Sequence, residues 1–278
     1  MVRFATRTPT LPPAQTTNSF ALGTRDVLLV EPASPYPDEQ RAWLAWAASL
    51  AEEGRVLRAI FVTHHHPDHV GGADAFRRAL GLPLWAHAET AARLPHLPWA
   101  RRLEEGAIID LPGPKPQRWR CLHTPGHAPG HLCLEEEASR VQLVGDMVAS
   151  RGTILIAPGD GDLRVYLQQL ERLRDRDPVR LLPAHGDPID APRAHYDRYL
   201  AHRRWRENEV RKALRRHPKG IDREALQRIV YHDVSSAAGP LAALSLHAHL
   251  LALQADEFAL EGDDGRWRPS AHVVRCED

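Results

Sequence analysis

Four histidines and one aspartate lie within six consecutive positions, and these residue types can bind metal ions. The stretch runs from His64 to His69 and follows an apolar segment, 59–62, that predicts a buried strand. Neutral imidazole and carboxylate groups are ordinary ligands for zinc and other first-row metals. In the pattern His-x-His-x-Asp-His, His64 and His66 could bind one metal ion while Asp68 and His69 bind a second. A histidine-rich run can also be a solvated loop or an adventitious metal tract, so residues elsewhere in the chain must decide.

Further ligand-type residues follow three other predicted strands. His127 comes after a strand at 118–122, Asp146 after a strand at 141–144, and His185 after a strand at 179–182. In α/β proteins the ends of neighbouring strands meet at one edge of a sheet and form binding sites there. Histidines scattered at random would not be expected to follow strand ends in chain order. The sequence therefore predicts one metal site assembled from distant segments.

The elements that must position these residues alternate between strands and helices, which indicates the α/β class. Residues 1–16 carry three prolines and predict little regular structure, and 94–116 predicts a loop with one strand near 107–110. The other predicted strands are at 19–22, 26–30, 84–87, 132–135, 257–260 and 266–268. The predicted helices are at 38–53, 73–80, from Ala88, from Asp162, and at 192–216, 223–231 and 237–254. Asp38 and Asp162 are the expected caps of their helices.

Composition limits the class of protein further. The 278 residues have a formal net charge of zero and 43% hydrophobic residues, enough for a substantial core. Cys121, Cys133 and Cys276 lack the paired spacing of a disulfide framework or a cysteine zinc site. The first 18 residues have no apolar signal-peptide core, and no run approaches the roughly 18 apolar residues of a membrane span. We therefore expect a soluble, cytoplasmic protein without a membrane partner.

The ligand-type residues together resemble the signature of the metallo-β-lactamase superfamily. Its pattern of His-x-His-x-Asp-His, a downstream His, a bridging Asp and a last His is matched by His64, His66, Asp68, His69, His127, Asp146 and His185. The resemblance implies a four-layer αβ/βα sandwich with the site on one edge. It also implies that His64, His66 and His127 bind a first metal ion, and that Asp68, His69 and His185 bind a second, with Asp146 bridging. Two zinc ions are the expected cofactors, and iron and manganese remain open.

The C-terminal part of the sequence indicates which branch of the superfamily the chain resembles. Three predicted helices followed by a hairpin around residues 262–265 make a winged-helix unit. We therefore predict a catalytic domain at 1–190 and a winged-helix-like domain at 191–278. This arrangement is similar to the branch that contains beta-lactamase-like protein 2, which implies a hydrolase. The apolar third helix would also suit a homodimer.

The predicted mechanism is attack by a metal-bound hydroxide, with Asp68 and Asp146 carrying negative charge into the site. Residues 193–228 contain twelve Lys or Arg and five Asp or Glu. This basic stretch could steer a phosphorylated substrate, or it could be a solvated helix face with i, i+4 partners such as Glu207 and Arg211. The predicted substrate is a phosphodiester, specifically single-stranded RNA that the protein cleaves. The alternative is hydrolysis of small thioesters or esters. A third hypothesis is a non-catalytic winged-helix protein with a structural metal site. The sequence leaves the roles of His65, His123, His131 and Arg151 unassigned.

Overall fold

Two β-sheets form the centre of the molecule. The computed structural model describes residues 1–271, so Cys276 lies outside the described residues. The first sheet has six strands in chain order: β1 (Val2–Arg7), β2 (Thr16–Leu22), β3 (Asp26–Val30), β4 (Val56–Phe61), β5 (Leu84–His87) and β6 (Trp99–Leu103). The second has the order β11-β10-β9-β8-β7, formed by β7 (Ile108–Leu111), β8 (Gln117–His123), β9 (Leu132–Glu136), β10 (Val141–Gly145) and β11 (Arg180–Pro183). β3 to β6 run parallel, as do β10 and β11, while the remaining pairs are antiparallel.

Helices cover the outer face of each sheet. Alternate residues of a strand point to opposite faces, so a strand that is apolar on both faces must be covered on both. In β2, Phe20 and Leu22 pack between the sheets with Trp119 of the second sheet, while Ala21 packs with Trp43 on the outer side. The first sheet is covered by α1 (Pro37–Glu52) and α3 (Ala73–Leu80). The second is covered by α5 (Leu163–Asp175) and α6 (Pro192–Arg215), through residues such as Tyr166. The layers are therefore helix, sheet, sheet and helix, as expected. Two short helices, α2 (Pro67–Val70) and α4 (Ala88–Arg93), follow β4 and β5.

Two edge strands were not predicted. β1 lies in the segment 1–16 that was expected to have little regular structure, and β6 lies in the predicted loop 94–116. β1 pairs along its whole length with β2, and β6 pairs with β5. Both are rich in arginine, which is common on edge strands because charge discourages further pairing. Their stability comes from a partner strand and not from an apolar run, so local sequence does not reveal them.

Helix starts follow ordinary capping rules, with one correction. Asp162 caps α5 as expected, because its side chain accepts a hydrogen bond from the N–H of Val165 at 3.0 Å. Asp38 was expected to cap α1, but the cap position is Tyr36 and makes no side-chain bond. Asp38 lies in the first turn, after a proline at its start, where its charge favours the helix dipole.

The C-terminal elements have a hydrophobic core of their own. α7 (Arg223–Val230), a 3₁₀ turn at Ser236–Ala238, α8 (Gly239–Ala255), β12 (Ala259–Glu261) and β13 (Trp267–Pro269) follow α6. Leu226, Leu246 and Trp267 pack together with the second half of α6. The first half of α6 packs on the sandwich through Tyr196. One long helix therefore joins the two cores.

The segment Ser236–Ala255 is long and apolar enough, by length and composition alone, to cross a membrane. This corrects the expectation that no segment comes close to that length. Several of its apolar side chains are buried inside the protein: Leu246, Leu250 and Leu253 lie in the C-terminal core.

Candidate metal centre

All the predicted ligands meet at one edge of the sandwich. His64 to His69 follow β4, His127 lies in the loop between β8 and β9, Asp146 follows β10, and His185 follows β11. Two glycines allow this close approach. A Cβ on Gly145, which has a φ of +48°, would lie 2.5 Å from Nε2 of His131, and a Cβ on Gly126, which has a φ of +123°, would lie 2.4 Å from the backbone of Tyr166.

Three histidines aim ring nitrogens at a common point. Nε2 of His64 lies 3.0 Å from Nδ1 of His66, and Nε2 of His127 lies 3.2 Å and 3.0 Å from the same two atoms. Burial holds the pKa of His64 well below its ordinary value, and burial lowers the pKa of His127 to about 4. The rings of His64 and His127 are therefore neutral at pH 7 and can offer lone pairs to a cation.

A second group lies beside the first and shares Asp146 with it. Nε2 of His185 lies 3.2 Å from Oδ1 of Asp146 and 3.5 Å from Oδ2 of Asp68. Nε2 of His69 lies 3.5 Å from Oδ1 of Asp146. The other oxygen of Asp146, Oδ2, lies 3.5 Å from Nε2 of His127. Asp146 therefore stands between the two groups, where a bridging ligand would be.

Hydrogen bonds on the outer side of the rings select the tautomers. His127 donates from Nδ1 to the carbonyl of Leu155 at 2.9 Å, and His185 donates from Nδ1 to the carbonyl of Thr16 at 3.0 Å. Nε2 of His66 lies 2.7 Å from Oδ2 of Asp160. When the ring is neutral, the remaining nitrogen, which faces the cluster, is therefore the acceptor. Such outer partners are typical of metal-binding histidines.

The electrostatics of the second group differ from those of the first. Burial alone would lower the pKa of His69, but Asp146, Asp68 and Glu31 outweigh it and raise that pKa well above its ordinary value. Burial would raise the pKa of Asp146, but His185 and His69 hold it well below the usual range. Protons on the histidines thus balance the carboxylates here, and a divalent cation could replace them.

Buried polar atoms test whether a metal fits. Nε2 of His69 and Oδ1 of Asp146 are buried without a hydrogen-bond partner. Leaving such atoms unsatisfied is costly, and a cation between them would satisfy both. Among the described residues, histidine and carboxylate atoms form four overlapping groups that could hold a cation. Two of them are His64 with His66 and His127, and Asp68 with His69 and His185; a third joins Asp146 to His64 and His69, and a fourth joins His65, His66 and Asp160. The donor set therefore fits two metal ions.

Three further residues support the cluster. Glu31, buried and at a φ of +59°, places Oε2 3.3 Å from Nδ1 of His69. His131 accepts the backbone N–H of Asp146 at 3.0 Å, so it holds that aspartate in position. Asp160 contacts both His66 and His65, the latter at 3.4 Å. Glu31 directly follows a strand, which was an available signal, whereas Asp160 lies in a glycine-flanked loop that carries none. His123 lies outside the cluster, where it stacks on His87 with ring centroids 4.1 Å apart.

A cavity of about 570 Å³ opens onto the cluster at His66, Asp68, His127 and Asp146. Its walls come from three parts of the chain: the loop 9–14, the segment 149–157, and the C-terminal helices. Most of the wall residues are apolar: Pro9, Leu11, Pro12, Pro13, Ala14, Ala149, Ile154, Leu155, Ala157, Val234, Ala238, Leu241 and Ala242. Arg151, Arg203 and Arg206 also line it.

Comparison with known proteins agrees with this geometry. The model of the metallo-beta-lactamase superfamily matches residues 12–185. The chain is 29% identical over 240 residues to beta-lactamase-like protein 2 homolog of Caenorhabditis elegans, covering 83% of this chain and 76% of that protein. It is 27% identical over 225 residues to an atrochrysone carboxyl ACP thioesterase of Emericella nidulans, covering 78% of this chain and 66% of that protein. Among solved structures, a beta-lactamase domain protein from Burkholderia ambifaria superposes with a TM-score of 0.81 at 24% identity, over 96% of this chain and 91% of that one.

The chain belongs to the metallo-β-lactamase superfamily, because the family model covers more than half of it. It is a hydrolase of that fold, as predicted. Members of the superfamily typically bind a dinuclear metal site, and the histidine and aspartate groups described above lie where such a site would form.

Proposed function

We propose that the protein is a metal-dependent hydrolase of acyl thioesters or esters. The observation that carries this proposal is the apolar cavity that opens onto the histidine and aspartate cluster. An apolar pocket with a few convergent polar groups suits the acyl part of a small substrate. The likeness to a relative named as an acyl-carrier-protein thioesterase supports the same chemistry, although the chain spans only 66% of that relative.

In this proposal His64, His66 and His127 would hold one divalent cation, and Asp68, His69 and His185 would hold a second, with Asp146 available to both. The donors are nitrogen and oxygen without cysteine, which suits zinc and also permits iron or manganese. Such cations lower the pKa of a coordinated water and polarise the substrate carbonyl. The chain itself fixes the tautomers through Leu155, Thr16 and Asp160, and the apolar walls exclude bulk water from the reacting carbonyl.

The predicted cleavage of single-stranded RNA is less well supported, because four of the basic side chains on α6 are already paired with carboxylates. Arg204 bonds Glu171 at 2.5 Å, Arg206 bonds Asp233 at 2.9 and 3.0 Å, and Lys212 bonds Glu209 at 2.8 Å. Arg211 likewise bonds Glu207 at 3.0 Å. Paired side chains would have to lose these partners before they could contact phosphates. The nuclease hypothesis stays a prediction and is the comparison arm of the experiment below.

We further propose that residues 191–278 form a winged-helix-like domain whose role is to complete the pocket. Three helices and a two-stranded hairpin are present in the expected order. Tyr231, Leu241 and Ser245 from this part contribute to the cavity wall. The domain would then contact the substrate from the side of the cavity opposite the metal site and so influence which substrate binds. Helix α6 would hold the domain against the sandwich.

The test is turnover of a panel of acyl thioesters and of a labelled single-stranded RNA, measured on one metal-loaded preparation. We expect thioester hydrolysis that chelation abolishes and that His64→Ala reduces at least 100-fold. His232→Ala is the matched control, since His232 is exposed and its ring bonds only the carbonyl of Ile229. RNA cleavage that His64→Ala abolishes, with no thioester turnover, would contradict the proposal and favour the nuclease.

A further inference from the structure

A buried arginine lines the cavity close to the histidine cluster. Arg203 on α6 is 3% exposed, and its guanidinium donates to the carbonyl of Ile154. The next carbonyl along the chain, that of Leu155, accepts the hydrogen bond from His127. The two carbonyls belong to consecutive residues, whose Cα atoms are about 3.8 Å apart. With one hydrogen bond at each end, the guanidinium therefore lies on the order of 10 Å from the His127 ring. Arg203 therefore reaches the same part of the cavity as the proposed metal site.

Among residues 1–271, the contacts of the Arg203 guanidinium are with the carbonyl of Ile154 and the ring of Tyr166, and no carboxylate pairs with its charge. Its neighbour Arg206, equally buried at 4% exposed, is neutralised by a two-pronged bond to Asp233. By contrast, Nε of Arg203 has no hydrogen-bond partner. A guanidinium does not lose its proton at physiological pH, so burying one without an anion is costly.

Neighbouring groups do not supply the missing negative charge. Tyr166, whose ring centroid lies 5.6 Å from the guanidinium carbon, donates its hydroxyl to the carbonyl of Met147, and burial raises its pKa, so it is a neutral phenol. Around the proposed metal site, the four carboxylates of Asp68, Asp146, Glu31 and Asp160 would bring four formal negative charges, as many as two divalent cations would balance. The loaded site would have no negative charge left over for Arg203.

We propose that Arg203 binds a carboxylate carried by the acyl group of the substrate. The enzyme would then prefer thioesters of dicarboxylic acids to those of monocarboxylic acids. Arginine suits this role because its planar fork matches a carboxylate with two parallel hydrogen bonds. The inference rests on the acyl hydrolysis proposed above. In that reaction the oxygen of water forms a bond to the acyl carbon as the C–S bond breaks, one proton goes to sulfur, and the second is released to solvent. The products are a dicarboxylate and a free thiol, and Arg203 takes part in binding only.

The experiment compares malonyl, succinyl and glutaryl thioesters of N-acetylcysteamine with the same compounds carrying a terminal amide in place of the carboxylate. Charge-assisted hydrogen bonds typically contribute roughly ten- to hundredfold in affinity. For the best chain length we expect kcat/KM to be at least about tenfold higher for the carboxylate than for the amide. Arg203→Gln should reduce this ratio at least about tenfold. Arg204→Gln is the matched control, because Arg204 lies next in the chain, is 62% exposed and pairs with Glu171.

Calorimetry on the wild-type holoenzyme gives a second measurement that needs no variant. The free dicarboxylate should bind at least about tenfold more tightly than its monoamide, which keeps one carboxylate for the metal side and lacks the other. Equal binding, or equal turnover of the carboxylate and the amide, would overturn the role of Arg203 and leave thioester hydrolysis standing. No turnover of any thioester would overturn the proposed function, and calorimetry alone would then decide whether Arg203 binds a carboxylate.

Discussion

Asp160 offers a sharp test of the metal centre, because the sequence did not single it out and its contact with a proposed ligand is through His66. Its Oδ2 lies 2.7 Å from Nε2 of His66, and Oδ1 lies 3.4 Å from Nε2 of His65. Burial alone would raise the pKa of Asp160, but hydrogen bonds from His65 and His66 hold it below its ordinary value. Asp160 is therefore an anion at pH 7. It keeps the proton of His66 on Nε2 and leaves Nδ1 free to face His64 and His127.

Replacing Asp160 with alanine removes that acceptor and frees the imidazole to rotate or change tautomer. Loss of such an outer partner weakens metal binding by roughly 10- to 100-fold, or about 1.4 to 2.7 kcal/mol. Asp160→Asn should lose less, because an amide oxygen can still accept from Nε2. The assay is competition with a chromogenic chelator at pH 7.5.

Asp190→Ala is the matched control for this measurement. Asp190 is 72% exposed and pairs with Arg180. Its loss should leave metal affinity unchanged. If Asp160→Ala bound metal as tightly as the wild type, either His66 would not be a ligand or its outer hydrogen bond would not matter. In either case the reasoning about tautomers would be refuted.

Three other predictions concern stability, reactivity and the pocket. Burial would raise the pKa of Glu135, but the ion pair with Arg176 outweighs burial and lowers that pKa. The pair therefore contributes its full stabilisation above the ordinary glutamate pKa, and this contribution is lost as pH falls through the lowered pKa. Glu135→Gln should therefore cost about 1–2 kcal/mol at pH 7 in chemical unfolding, and the difference from wild type should shrink as pH falls through the lowered pKa of Glu135; a gap independent of pH would contradict this. Burial raises the pKa of Cys121 to about 12, so mass spectrometry should find it unalkylated in the native protein at pH 8, and rapid native labelling would refute its burial. Leu241→Trp should lower kcat/KM more for long acyl chains than for short ones because Leu241 lines the cavity, whereas Leu244→Trp, on the exposed side of the same helix, should affect both equally.

The metal-binding residue types could be predicted because each follows a strand end, and strand ends meet at one edge of the sandwich. The structure brings together all seven of the residues that were singled out. Asp160 could not be predicted, since it lies 94 residues from His66 and its loop has no local signal. The position of a side chain across such a distance depends on the whole fold.

The substrate prediction shows a different limit. Counting charges in residues 193–228 correctly finds an excess of arginine and lysine, but a count does not show which charges are paired. In the structure Arg206 contacts Asp233 in a later segment, and Arg204 contacts Glu171 in an earlier one. The one arginine of this group that is buried without a carboxylate partner, within residues 1–271, is Arg203. Burial and pairing, and not composition, therefore distinguish a solvated helix face from a binding residue.

The most direct test of the central claim is a crystal structure of the metal-loaded protein with anomalous scattering recorded at the absorption edge of the bound metal. We predict two anomalous peaks about 3.5–4 Å apart. One should lie among His64, His66 and His127, and the other among Asp68, His69 and His185, with Asp146 contacting both. A single peak at His65, His66 and Asp160, or no peak within the cluster, would contradict the proposed dinuclear hydrolase.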